Sequence, residues 1–272
     1  MSLRYRLFAV LEARLPASWQ RWLGGSSLLR PLRDRFLRPG GRAALHRGPI
    51  EFEGHRFLFS APFRVFRRAA RRGVEARLSR LVLARGRAGG VMMDVGANCG
   101  FLTLMMAFAG APDGRVVSIE PTPEALEALR RNVDDNGLCA RVTVVAARAG
   151  AHEDDAVRTD GRQVTVDGLM DELAERAAEE AEDAPRLDLL KVDVDGGDLD
   201  VLRGAAETLR RDRPIVLVEL ERDARAIHDF LVDCGYRDLR DMELAPVDAS
   251  RGAWPPNLIA LPDAGHSDAA TA

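Results

Sequence analysis

Cysteine is scarce in this sequence, and lysine is almost absent. The three cysteines, at positions 99, 139 and 234, have no repeated spacing and give no support to a disulfide framework or a zinc site. Among the 39 basic residues only Lys191 is a lysine, which indicates a general bias toward arginine. A single arginine therefore says little about function. Because the cysteines do not suggest disulfide bonds, a reducing cytoplasm is the expected setting.

Long apolar runs are also missing. The longest, Phe101 to Ala109, is well short of the roughly 20 residues that a helix needs to cross a bilayer. Residues 1 to 23 begin with basic residues, as a secretory signal does, but Glu12, Arg14 and Arg21 interrupt the apolar region that a signal requires. We expect neither a membrane span nor export.

Charge is divided unevenly along the 272 residues. Residues 1 to 90 contain 20 arginines and five acids, whereas residues 91 to 272 contain 19 basic residues and 37 acids. Apolar residues make up 46% of the chain, which excludes general disorder. The sequence therefore predicts a basic appendage followed by an acidic main domain.

The appendage is expected to combine helices with a hairpin. Residues 1 to 47 have the pattern of short basic amphipathic helices broken by proline and glycine. Residues 50 to 59 alternate on each side of a glycine, as a hairpin does, and residues 63 to 83 predict one arginine-coated helix. The predicted boundaries are 1–85 for the appendage, 86–265 for the main domain and 266–272 for a flexible tail.

Two roles stay open for the basic segment. Leucines and Phe8 alternate with arginines between residues 3 and 15, which permits a peripheral amphipathic helix on an anionic membrane. Packing as a lid on the main domain fits the same pattern. A nucleic-acid partner is disfavoured, because the arginine bias is general and the main domain is acidic.

From Val91 onward, short apolar runs alternate with helical patterns. This alternation is typical of an α/β protein with a doubly wound, mostly parallel sheet covered on both faces. Ligands of such sheets bind beyond the carboxyl ends of the strands. The expected strands are 91–95, 115–120, 142–146, 187–194, 215–220 and 257–261, and the expected helices are 100–109, 123–135, 167–180, 198–210 and 222–234.

The first of these strands leads into a glycine turn. Gly96 and Gly100 let the backbone turn sharply and approach a ligand closely, with Ala97 and Asn98 between them. The spacing is not G-x-G-x-x-G, and Asp94 at the strand end would repel a pyrophosphate. Asp94 instead suits a cationic or hydrogen-bond-donating ligand, such as the amino-acid end of a sulfonium cofactor.

The second strand ends at Glu120. A carboxylate in this position can accept hydrogen bonds from the two vicinal hydroxyls of a ribose. Glu120 follows Gly100 by 20 residues, the spacing at which an acid beyond a glycine turn takes this role. The pair of strand ends predicts a nucleoside-containing cofactor.

The later strands bring further charged residues to the same edge. Lys191 and Asp193 share one face of a strand by its two-residue period, so they can neutralise one another. Glu219 ends the neighbouring strand and forms a carboxylate pair with Asp193. This pair could hold a divalent metal, share a proton or bind a sugar hydroxyl, although a metal lacks support because hard cations need more oxygen ligands.

Taken in order, these motifs resemble the FkbM family of S-adenosylmethionine-dependent methyltransferases. The resemblance extends over about residues 90 to 262. It implies a class I methyltransferase (Rossmann-like) fold with seven strands, the last antiparallel, and methylation of a hydroxyl on a sugar, glycolipid or secondary metabolite. The motifs that carry it are Asp94-Val95-Gly96-Ala97-Asn98-Cys99-Gly100, Glu120-Pro121-Thr122-Pro123, residues 164–169, residues 189–196 and residues 214–219.

The resemblance also implies roles for individual residues. Lys191, Asp193 and Glu219 would face the acceptor, with no metal assigned. The sequence departs from the family pattern at Asp195 and Asp198, where the family usually has glutamate. The cofactor, S-adenosyl-L-methionine, would be bound by Asp94, Gly96, Ala97, Asn98, Gly100 and Glu120.

We interpret Asp193 as the general base or the group that orients the acceptor hydroxyl. Lys191 would then control the charge of Asp193, and Glu219 would fix the acceptor, a small molecule or glycan. Two alternatives remain: a nicotinamide-dependent oxidoreductase on a similar sheet, and a non-catalytic binding module that keeps the methyltransferase fold.

Overall fold

A computed structural model of the chain describes residues 45–154, 162–220 and 222–263. The basic helices predicted before residue 45 and the tail predicted from residue 266 lie outside the described residues. Within the described ranges, none of the helices combines the length and the apolar character that crossing a bilayer demands.

The described part begins with an antiparallel hairpin of β1 (Leu45–Phe52) and β2 (His55–Pro62), which confirms the predicted hairpin. Its two-residue loop, Glu53–Gly54, has φ values of 48° and 81°. Positive φ at both loop positions is the turn geometry that matches the twist of a hairpin.

Two helices follow the hairpin, α1 (Phe63–Arg72) and α2 (Ala76–Arg85). The prediction of one helix over residues 63 to 83 is therefore wrong. Gly73 ends α1 with φ 78°, and Glu75 begins α2 with φ 45°, so the chain bends between the helices. We call residues 73 to 75 the elbow.

Within the described residues, the central sheet has seven strands in the order β10–β11–β9–β8–β3–β4–β5. All are parallel except β11, which runs antiparallel to both neighbours. This arrangement confirms the class I methyltransferase fold. The strands are β3 (Val91–Val95), β4 (Arg115–Ile119), β5 (Val142–Val145), β8 (Leu187–Val192), β9 (Ile215–Glu219), β10 (Asp238–Arg240) and β11 (Asn257–Leu261).

The chain leaves β3 toward β4 on one side and later returns to β8 on the other. Such a change of direction opens a crevice at the carboxyl ends of the central strands, where ligands of doubly wound sheets bind. The residues that follow β3, β4, β8 and β9 therefore meet at one place.

Helices cover both faces of the sheet, and their bounds agree with the sequence prediction within a few residues except in one case. The predicted helix 198–210 is two helices, because Gly204 packs so closely on the Gly150 carbonyl that a Cβ would lie 2.0 Å from its oxygen. The helices are α3 (Phe101–Ala109), α4 (Pro123–Asp135), α5 (Val166–Glu179), α6 (Asp198–Arg203), α7 (Ala206–Asp212) and α8 (Ala224–Asp233), with a short 3₁₀ turn at Ala249–Arg251 and a two-stranded pair of β6 (Arg148–Ala149) and β7 (Gln163–Val164).

The hairpin packs against the same face of the sheet as α3 and α4. Phe59 is fully buried and makes an edge contact with the Phe101 ring at 5.4 Å between centroids. The buried Asn132 of α4 donates hydrogen bonds to the carbonyls of Ser60 and Cys99, and its own oxygen accepts from the Ser60 amide. These contacts attach β2 and the helices after it to the edge where β3 ends.

Candidate active site

A cavity of about 1330 Å³ opens at the carboxyl ends of β3, β4, β8 and β9. Its lining includes the turn after β3, Glu120 after β4, Asp193 after β8 and Glu219 at the end of β9. Cavities for one small ligand span about 300 to 1,000 Å³, so this one has room for a cofactor and a second small molecule.

The glycine turn forms one wall of this cavity. Gly96 has φ 77°, and its amide, like that of Ala97, donates to the Ile119 carbonyl. A Cβ at Gly96 would lie 1.8 Å from the carbonyl oxygen of Asp193, so the turn contacts the backbone after β8 directly. Asn98 is exposed at the tip of the turn with φ 50°.

Gly100 ends the turn and begins α3 with φ 79°. A Cβ there would lie 2.4 Å from a methyl carbon of Leu129. The thiol of Cys99, just before it, is buried; burial and the charge of Glu120 raise the pKa of Cys99 to about 11. Cys99 therefore remains a neutral thiol and cannot serve as a thiolate nucleophile at neutral pH.

Glu120 is held in a fixed position at the cavity surface. One carboxylate oxygen accepts from the Asn98 amide at 2.9 Å, and the other accepts from the Thr122 amide at 2.8 Å. Each oxygen has a second lone pair, so the carboxylate can accept further hydrogen bonds from a ligand. The glycine turn and Glu120 are thus joined, as the sequence predicts.

Asp94 does not face this cavity, contrary to the sequence prediction. It has no exposed surface; Thr103 Oγ1 of α3 donates to its carboxylate at 2.6 Å, and Lys191 Nζ lies 3.4 Å away. The two-residue alternation of β3 turns Asp94 and Met92 toward α3, and Asp94 is not among the residues that line the cavity. Asp94 therefore supports the wall from behind.

Lys191 links this buried acid to the turn. Its ammonium donates to the Gly96 carbonyl at 2.9 Å and the Val95 carbonyl at 3.3 Å, and it lies 3.6 Å from Asp193 Oδ2. Burial alone lowers the pKa of Lys191, but the negative charges of Asp94 and Asp193 outweigh burial and raise it above its usual value. Lys191 stays charged and fixes the turn in place.

Replacing Lys191 by methionine is expected to destabilise the protein by about 3 to 5 kcal/mol, because Asp94 would remain buried without its cation. Urea unfolding measures the change. The double variant Asp94→Asn with Lys191→Met removes both charges and should recover part of the loss. A Lys191→Met protein within about 1 kcal/mol of wild type would contradict this account of the pair.

Asp193 and Glu219 both line the cavity, as predicted. The Asp193 side chain is 29% exposed, while its amide donates to Val95 and fixes the backbone. Asp195 is exposed, whereas Asp198 is buried and accepts from the Val194 amide. Burial raises the pKa of Asp198, and its role is to close the loop after β8.

Sequence reasoning missed two residues of the elbow region. Arg68 of α1 and Glu75 line the same cavity, opposite the strand ends. The signal was present in the sequence, because Glu75 is the single acid among the arginines between residues 63 and 87. Only the packing of the hairpin shows that this acid reaches the site.

Among the described residues, no three side chains of His, Cys, Asp or Glu are grouped so that they could bind a metal ion. The arrangement instead provides hydrogen-bond acceptors around a crevice: Glu120 on one side, Asp193 and Glu219 on the other, with Lys191 between them.

Comparison with known proteins places this geometry in a family. A family model described as the methyltransferase FkbM domain matches residues 94–237. No curated protein gave a match.

Solved structures of low identity resemble the chain. The methyltransferase FkbM from Methylobacillus flagellatus KT is 18% identical, with a TM-score of 0.47, and the alignment covers 68% of this chain and 51% of that one. A TehB-like SAM-dependent methyltransferase from Corynebacterium glutamicum is 12% identical, with a TM-score of 0.45 and coverage of 73% and 92%. The chain spans about half the length of the first of these.

Proposed function

The chain belongs to the FkbM methyltransferase family, and on that basis we propose that it transfers a methyl group from S-adenosylmethionine to a hydroxyl of a sugar, glycolipid or secondary metabolite. The observation that carries the proposal is the meeting of Glu120, the glycine turn and Asp193 around one cavity. The first two suit a nucleoside cofactor, and the third suits a hydroxyl acceptor.

The cavity wall fits the chemistry of S-adenosylmethionine. Glu120 retains lone pairs for the vicinal hydroxyls of a ribose, and the turn over Gly96 and Asn98 presents backbone without bulky side chains. The cofactor, when bound, supplies an activated methyl group on a sulfonium. Gly96, Ala97, Asn98, Gly100 and Glu120 would hold it, with Asp94 and Lys191 supporting the turn from behind.

The charged residues around Asp193 suit the binding of the acceptor hydroxyl. Its carboxylate can take a hydrogen bond, and then the proton, from an acceptor hydroxyl at the cavity surface. Lys191 lies beside it and favours the ionised carboxylate. Glu219, at the end of β9, can accept a hydrogen bond that orients the acceptor.

Family membership favours methyl transfer over both alternatives. A nicotinamide-dependent oxidoreductase is expected to hold a pyrophosphate on a G-x-G-x-x-G turn, and the turn after β3 does not have that spacing. Methyl-labelled S-adenosylmethionine incubated with panels of glycans and glycolipids is expected to give a labelled methyl ether. A protein that binds a nicotinamide dinucleotide and no S-adenosylhomocysteine would contradict the proposal.

Replacing Glu120 by alanine is expected to weaken binding of S-adenosylhomocysteine by about 10- to 100-fold, because hydrogen bonds to a charged group are lost. Calorimetric titration measures the affinity. The control is Glu127→Ala, an acid of α4 that is not among the residues lining the cavity, and this protein should bind as wild type does. Equal affinity of the Glu120→Ala protein and wild type would rule out the ribose role.

A further inference from the structure

A second cavity, of about 600 Å³, adjoins the first on the acceptor side. It continues past the end of β9 toward Met242, Pro255 and Pro256. The two cavities share a small set of lining residues, all charged, which marks the place where they join. These are Arg68, Glu75, Lys191, Asp193 and Glu219.

Glu75, like Arg68 of α1, is a member of this set that the sheet does not supply. It comes from the elbow, which the hairpin and α1 hold opposite the ends of β8 and β9. Residue 75 also precedes the region matched by the family model, which begins at residue 94. The junction is therefore built partly from the family domain and partly from this chain's own N-terminal elements.

Glu75 lines both cavities, and its carboxylate makes no hydrogen bond or ion pair with the residues that the structure describes. Glu75 is exposed overall and lies where the two cavities join. Desolvation of the carboxylate by the surrounding protein raises the pKa of Glu75, the charges of Lys191 and Arg68 oppose the rise, and the charges of Asp193 and Asp94 add to it.

The backbone of Glu75 is also unfavourable for its residue type. Its φ of 45° lies in the left-handed region, where residues other than glycine, asparagine and aspartate are strained. The backbone conformation therefore does not favour a glutamate here, and no hydrogen bond or ion pair to a described residue offsets that cost.

We propose that Glu75 contacts the acceptor and accepts a hydrogen bond from a second hydroxyl, next to the one that Asp193 deprotonates. This inference rests on the proposed function and refines its substrate class. With Glu75, Asp193 and Glu219 around the junction, the fitting acceptor is an uncharged ring that carries neighbouring hydroxyls. The three acids outnumber the two cations of the junction, Arg68 and Lys191, and Lys191 is already paired with Asp94 and Asp193. A carboxylate or phosphate next to the reacting hydroxyl would therefore be repelled.

The elbow is thereby a specificity element. Sites built to hydrogen-bond a substrate hydroxyl reject analogues that lack it, because the site's polar group is then left unpaired. Methylation of a neutral glycoside should therefore depend on the hydroxyl next to the reacting one.

Three variants test this role. Glu75→Asn removes the long carboxylate and places a residue that tolerates left-handed φ. Glu75→Gln removes only the charge. Glu53→Asn is the matched control, because Glu53 has φ 48° in the β1–β2 loop and its one described partner is the exposed Arg80, a pair that contributes little.

Unfolding in urea is measured first and requires no acceptor. We expect Glu75→Asn and Glu53→Asn both to unfold at higher urea than wild type, since each relieves an unfavourable φ. A fall in the midpoint for Glu75→Asn, with none for Glu53→Asn, would show that Glu75 has a structural role and would overturn the inference.

Binding and turnover are measured next, with S-adenosylhomocysteine and a panel of neutral methyl glycosides and methyl uronosides as probes. Glu75→Gln is expected to bind S-adenosylhomocysteine within twofold of wild type, to lose about tenfold or more in kcat/KM for the neutral glycosides, and to discriminate less against the uronosides. Unchanged kcat/KM, or weakened S-adenosylhomocysteine binding, would overturn the inference.

Failure of the proposed function gives a different result. In that case the wild-type protein binds S-adenosylhomocysteine but methylates none of the probes. Failure of the Glu75 assignment alone leaves the wild-type protein active and gives a Glu75→Gln protein with the same kcat/KM, so the two failures are distinguishable.

Discussion

The Asp193→Asn protein is expected to turn over about 10²- to 10³-fold more slowly than wild type, the range that loss of a general base produces. Its affinity for S-adenosylhomocysteine should stay close to that of wild type. Asparagine keeps the shape of the side chain but cannot take the hydroxyl proton. The backbone contacts of Asp193 with Val95 and Gly96 do not involve the side chain and should be preserved.

The measurement is methyl transfer under saturating cofactor, with calorimetric binding of S-adenosylhomocysteine in parallel. Asp113→Asn is the control, because it makes the same charge change at an exposed position outside the lining of the cavity. It should lose far less activity. Equal turnover in the Asp193→Asn protein and wild type would refute the assignment of Asp193.

Substitution of Gly96 by alanine is expected to destabilise the fold by about 4 kcal/mol or more and to abolish cofactor binding. Its φ of 77° disfavours any side chain, and the added Cβ would lie 1.8 Å from the Asp193 carbonyl oxygen. That neighbour is backbone and cannot rotate away. The turn and the loop after β8 would have to separate, which would also displace Asp193.

Gly89→Ala is the matched control for this substitution. Gly89 has nearly the same φ, 75°, but a Cβ there would meet nothing within 4 Å. The loss of stability in Gly89→Ala should be limited to the cost of a side chain in the left-handed backbone conformation, about 1 to 2 kcal/mol. Urea unfolding compares the two variants, and similar losses in both would show that the contact with Asp193 contributes nothing.

Much of the fold could be predicted because local signals and global constraints agree. The strand at Val91–Val95 is a short apolar run bounded by glycines, and Glu120 follows the next run directly. In a parallel sheet the carboxyl ends of strands lie at one edge, so position in the sequence is enough to bring these residues together. The hydrogen bond that the Asn98 amide donates to Glu120 shows that the ends of these two strands lie together.

Three features required the structure because they depend on direction or on distant packing. Asp94 lies only two residues before Gly96, but its side chain faces α3, where Thr103 donates to it. Lys191 lines the cavity, and only the structure shows that its ammonium also donates to the carbonyls of the turn. Glu75 reaches the junction only because the hairpin packs on α4, a contact between segments far apart in the chain.

The most direct test of the account is a crystal structure of the protein with S-adenosylhomocysteine. The account predicts that both ribose hydroxyls lie within hydrogen-bond distance of the Glu120 carboxylate and that the sulfur faces the junction near Asp193. A ligand bound elsewhere, or a ribose with Glu120 out of reach, would contradict it.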